Sequence, residues 1–208
     1  MAVWVLLRAA GIGAYVALFL SVVWGLVSTT GVVTKRVTKP AGNHFHAVIA
    51  STGLVLLGIH LVLLVVDTYM PFATLDVLIP LHASYRPIAT ALGVLAMYAM
   101  VVITVSSWIR KRVPTNLWRS IHVMAVPAFA LALLHGVFSG TDATRGGMLA
   151  LYGGTGLFVL FLVLVRSLTY GYRAPRPTPP VRSRVAAVPA RAIASDAAEP
   201  VPSTFASP

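Results

Sequence analysis

Four histidines lie inside two long apolar stretches of this chain. His46 and His60 belong to NHFHAVIASTGLVLLGIHLVLLVV at 43–66, and His122 and His135 to NLWRSIHVMAVPAFALALLHGVFSG at 116–140. An imidazole in hydrocarbon is costly unless its lone pair and its N–H are both used. A metal uses the lone pair, and neutral imidazole is the commonest side-chain metal ligand. Two apolar helices that each carry two well-separated histidines therefore make a frame for two stacked haems, each held by one histidine from either helix. The first pair is fourteen residues apart. That is a rise of roughly 21 Å and a turn about 40° short of four full turns, so both rings face one side of the helix.

The second pair is thirteen residues apart, a rise of roughly 19.5 Å with an angular offset of about 220°. A straight helix would put these rings on different faces. Pro127 lies between them, and proline removes an i→i−4 bond and crowds the preceding turn. The sequence thus predicts a kink or an overwound turn at about 123–127. Gly53, midway between His46 and His60, reads as ordinary small-residue packing between membrane helices.

The elements that must position these residues are membrane helices. Hydrophobic residues make up 58% of the chain and charged ones 10%, the balance of an integral membrane protein rather than a soluble enzyme. Five apolar runs approach the roughly 20 residues needed to cross a bilayer, at about 4–27, 46–66, 87–108, 117–138 and 148–168. The expected fold is all-α, a bundle of about five transmembrane helices over 1–170. The first run has no basic segment before it and is too long for a signal peptide, so it is read as a span. With no cysteine, iron–sulfur clusters, thiolate ligation and covalent C-x-x-C-H attachment are excluded. Any haem is then non-covalent and b-type.

Basic residues set the expected orientation. Lys35, Arg36 and Lys39 fall on one side, with Arg110, Lys111, Arg112, Arg119 and the arginines from Arg166 onward. The other side has Arg8, Arg86 and Arg145 beside Asp67, Asp76 and Asp142. This places the N-terminus outside and the C-terminus in the cytoplasm. His46 and His122 then pair near the inner face, and His60 and His135 near the outer face. The net charge of +11 resides in loops and tail, which argues against a nucleic-acid partner. The Pro-, Ala-, Ser- and Arg-rich stretch at 171–208 cannot bury a core and is expected to be a disordered basic cytoplasmic tail.

The loop at 67–86 contains apolar residues and is expected to hold a short interfacial helix over the outer haem. His82 in that loop reads as an exposed or capping histidine. His44 stands sixteen residues from His60, turned about 200° away from the ligand face, which favours His46. Haem propionates need cationic partners near the surfaces. Arg119, one turn before His122, is the inner candidate, and Arg86, beside Tyr85, the outer one.

Together these residues resemble the ferric reductase-like transmembrane domain family, the haem-bearing membrane domain shared by ferric reductases and NADPH oxidases. The resemblance covers residues 42–168. It rests on the spacings His46-x13-His60 and His122-x12-His135, supported by SYRP at 84–87, the helix end ITVSSWIRKR, WRSIH at 118–122 and LHGVFSGTD at 134–142. It implies two b haems, each with two histidine ligands, passing electrons across the bilayer. Ala47 follows His46 where the family often has an arginine. No segment here follows the glycine pattern of a dinucleotide-binding turn, so the electron donor is expected to be a separate molecule. The leading expectation is a membrane haem oxidoreductase or electron-transfer subunit, fed by a cytoplasmic flavoprotein and delivering to an outer-face acceptor. One alternative is a haem subunit that takes electrons from a membrane quinol and feeds a separate periplasmic or extracellular reductase. The other is a haem-free membrane scaffold or sensor.

Overall fold

The computed structural model describes residues 2–28, 37–68 and 72–170. The predicted tail at 171–208 and the basic residues Lys35 and Arg36 lie outside the described residues. Helix α1 spans Ala2–Ser28 and α2 spans Lys39–Val66. A short α3 at Thr74–Leu78 precedes α4 at Pro87–Trp108. A 3-10 turn at Arg110–Arg112 leads to α5 at Thr115–Val123, α6 at Ala125–Ser139 and α7 at Gly146–Tyr170. No strand occurs among the described residues. Five helical segments are long and apolar enough to cross a membrane, with α5 and α6 counting as one. This is the architecture of an integral membrane protein. Large apolar side chains such as Ile88, Leu157 and Leu168 stand outward on the bundle, as a lipid-facing surface requires.

The bundle is built around α1. It packs along α2 and also meets α6 and α7, while α4 packs along α6. Tyr15 of α1 stacks on Phe129 of α6 at 5.6 Å between ring centroids and meets Tyr152 of α7 edge-on at 5.3 Å. Its hydroxyl pairs with Thr155, which meets the requirement that a buried phenol find a partner. Small side chains on α1, among them Ala10, Ala14 and Ala17, are buried and allow the close helix approach typical of membrane bundles. Gly53 belongs to the same packing. A Cβ there would lie 2.9 Å from Met100 Cε and 3.1 Å from Ala17 Cβ.

The fourth span breaks where proline predicts it. Met124 separates α5 from α6, and its N–H bonds to the carbonyl of Ile121 at 3.0 Å. That i→i−3 bond is a tighter turn than the α-helix. Pro127 lacks the N–H that would bond Val123, and regular bonding resumes with Ala128 on Met124 at 2.9 Å. The expected helix in the 67–86 loop is α3. His82 Nδ1 bonds the Asp76 carboxylate at 2.7 Å, and Asp76 also accepts the Ala73 N–H at 2.9 Å. These bonds, the His82 bond first, hold the Asp76 carboxyl below the usual range.

Candidate functional site

His60 and His135 face one cavity of about 300 Å³ enclosed by α1, α2, α4, α6 and α7, with Val77 of α3 beneath the loop side. The volume lies at the low end of ordinary ligand sites. The lining is mostly apolar, with Met97 and Met100 among its larger side chains. The helices leave this space because α2 leans on α1 and α6 on α4, and α2 and α6 make no extended contact with each other.

Each of these two histidines is held by its Nδ1. His60 Nδ1 is 3.0 Å from the carbonyl oxygen of Leu7 on α1, and His135 Nδ1 is 2.7 Å from that of Ala89 on α4. A carbonyl oxygen only accepts, so in both rings Nδ1 carries the proton and donates. The neutral ring then keeps its lone pair on Nε2. A histidine whose Nδ1–H rests on a backbone carbonyl has the arrangement that orients metal-ligating imidazoles and raises their basicity. Ser139 Oγ lies a further 3.3 Å from His135 Nδ1.

The second pair also comes together. The rings of His46 and His122 are 5.8 Å apart, centroid to centroid, and inclined at 75°. Two imidazoles on one metal ion at about 2 Å each would stand roughly 6 Å apart, so the spacing suits a shared ion. His46 Nδ1 is 3.4 Å from Ser21 Oγ on α1. His122 stacks on Trp118 at 4.8 Å, and the Arg110 guanidinium lies over the Trp118 ring system, 4.1 Å from a centroid. The Nδ1 of His122 is buried without a hydrogen-bond partner among the described residues, the kind of polar atom that calls for an explanation. The structure thus brings His60 and His135 to one cavity, each held through Nδ1, and sets the rings of His46 and His122 side by side.

None of the other sequence-derived candidates lines the His60/His135 cavity. His44 is exposed at the start of α2, and Arg119 is exposed on α5. Arg86 does not line the His60/His135 cavity. Its guanidinium donates to the carbonyl of Phe138 near the end of α6, where helix carbonyls lack intrahelical donors. Arg86 itself holds a left-handed backbone, φ 43°, as the residue that opens α4. It thus ties the start of α4 to the end of α6.

The cation that does line the cavity is Arg8, a residue the sequence reading placed only among the outer charges. Arg8 pairs with Asp142 and Thr141 in the α6–α7 loop and stacks over Trp4. The Arg8 guanidinium holds the Asp142 carboxyl below the usual carboxylate range. Desolvation opposes this shift, and Arg145 adds to it. A carboxylate depressed in this way stabilises the fold fully above its unfolded pKa, near 3.9, and loses that contribution as pH falls through the lower folded value. The thermal-stability gap between wild type and Asp142→Asn in detergent is therefore expected to be flat from about pH 7 to about pH 5 and to close below about pH 4. A gap unchanged through that range would show that the carboxylate charge is not what ties α1 to this loop.

Comparison with protein-family models, curated proteins and solved structures finds no match to the chain.

Proposed function

We propose that this chain binds two b-type haems and serves as a conduit for electrons across a membrane. The observation that carries the reading is the pair His60 and His135, facing one cavity with both Nδ1–H groups fixed on backbone carbonyls. In this reading His60 and His135 hold one haem, and His46 and His122 hold the other. A bound haem would supply a one-electron redox centre at each histidine pair. The protein's part is to fix the tautomers of the ligand rings, surround them with apolar side chains and keep the two sites apart. Fourteen residues of α2 give roughly 21 Å of rise between them.

The charge distribution supports an orientation with His46 and His122 toward the cytoplasm. The exposed residues Arg110, Lys111, Arg112 and Arg119 gather at their end of the bundle. The donor is then a cytoplasmic flavoprotein or a membrane quinol, and the acceptor is an oxidant at the outer face, ferric iron among the candidates. A reporter inserted near Asp76 is expected to read external and one fused after Arg173 cytoplasmic; the reverse result would invert the order of the two sites.

The deciding experiment is a reduced-minus-oxidised spectrum of the purified protein with a haem-to-protein ratio. Two low-spin b haems per chain are expected. A colourless, folded protein would leave a haem-free membrane scaffold or sensor as the function. Reduction of the pigment by a quinol would identify the quinol-linked form, and reduction only by a flavoprotein the ferric reductase-like form.

A further inference from the structure

The geometry points to a repeated seat for the histidines, made of a glycine on the neighbouring helix and a hydrogen-bond acceptor four residues before it. This inference rests on the haem-binding reading above and assigns Gly11, Gly25 and Gly93 as positioning residues. A Cβ on Gly11 would lie 2.9 Å from both Nδ1 and Cε1 of His60, and the carbonyl that His60 uses belongs to Leu7. A Cβ on Gly93 would lie 2.6 Å from His135 Nδ1 and 2.7 Å from its Cε1, and the carbonyl there belongs to Ala89. Gly25 is the looser case. Its Cβ would stand 4.0 Å from His46 Cε1, and the oxygen near His46 Nδ1 is that of Ser21.

Residues i and i+4 lie one turn apart on the same helix face. A glycine therefore opens room for the ring, while the residue one turn earlier supplies the oxygen that faces its Nδ1. The ring is thus located from two directions by a neighbouring helix. On α1 the two seats are fourteen residues apart, as are the two histidines they serve on the antiparallel α2. The same antiparallel count from Gly93 and His135 gives Ser106 opposite His122. Ser106 is buried with its hydroxyl on the Ile103 carbonyl at 2.9 Å, and His122 Nδ1 has no partner among the described residues. Three corners of the frame have a seat and the fourth does not.

The test uses the purified full chain with Gly11→Ala, Gly93→Ala and Gly25→Ala, and Gly58→Ala as control, since a Cβ on Gly58 meets nothing within 4 Å. Electron paramagnetic resonance g values and the midpoint potential of each haem are read, together with imidazole nitrogen-15 shifts of the wild type. Gly11→Ala and Gly93→Ala are expected to shift the signals of the same haem and leave the other at wild-type values. Gly25→Ala should affect that other haem, and less strongly; Gly58→Ala should affect neither. Unchanged signals in Gly93→Ala would overturn the inference, as would Gly11→Ala and Gly93→Ala acting on different haems. If Gly93→Ala does not accumulate, Gly11→Ala and the tautomers decide, because the seat requires Nδ1–H at both His60 and His135. A haem-free wild type with those tautomers would refute the conduit and leave the seat standing; Nε2–H at either residue would refute the seat itself.

Discussion

His60→Ala and His135→Ala are each expected to abolish the low-spin signature of the same haem, halving the bis-histidine content of the purified protein, while His46→Ala and His122→Ala abolish that of the other. The effect should be close to complete because no spare imidazole is placed to substitute. His44 is exposed at the start of α2, and His82 is engaged with Asp76 outside the cavity. His44→Ala and His82→Ala are accordingly expected to leave both haems intact. Met97, Met100 and Met148 line the His60/His135 cavity and offer thioether donors there. If a thioether replaced His60, the product would be a His/Met site with a raised potential, distinguishable from the parent by potentiometry. Two unaltered bis-histidine spectra in His60→Ala would sink the proposed frame.

Pro127→Ala is the second large effect expected. His122 and His135 are thirteen residues apart, and a regular helix would offset them by about 220°. The structure departs from regularity between them, at the Met124 turn that separates α5 from α6. Alanine at 127 restores an N–H able to bond the Val123 carbonyl and is the best helix former. The segment is then free to close into one continuous helix, which turns His122 away from His46. Disturbing the groups that orient a metal ligand typically weakens binding by 10- to 100-fold, so haem affinity at the His46/His122 site should fall at least about tenfold. Thermal stability should hold or rise. A variant that loses haem from the His60/His135 site instead would show that the break serves the other pair. Unchanged affinity at both sites would show that ring position alone absorbs the offset.

The spans were legible because apolar runs of membrane length leave little choice of structure. The break at Met124 was legible because proline forbids one named hydrogen bond. The seats were not legible. Gly11, Gly25 and Gly93 look like any glycine in a membrane helix until α1 is laid antiparallel to α2 and α4 to α6. The equal fourteen-residue spacings of Gly11 to Gly25 and His46 to His60 were the available signal, but a spacing has meaning only once the register between helices is known. Arg8 was hidden for the same reason, since its partner Asp142 is 134 positions away. The bond from Arg86 to the Phe138 carbonyl was hidden likewise, because it joins the head of α4 to the end of α6 across 52 positions.

The division of labour among the helices bears on how the molecule is assembled. One half of the bundle, α1 with α2, completes a hairpin before the rest of the chain has been synthesised, and it already contains His46, His60 and both of their seats. The other half, α4 with α6, brings His122, His135 and the remaining seat. Each ring pair spans the gap between the halves, across a seam where α2 and α6 scarcely touch. A ligand bound by both members of a pair is therefore a staple between two separately made parts. It can be captured only after the later half has arrived, and once captured it holds together what the Tyr15, Phe129 and Tyr152 rings otherwise join from one side.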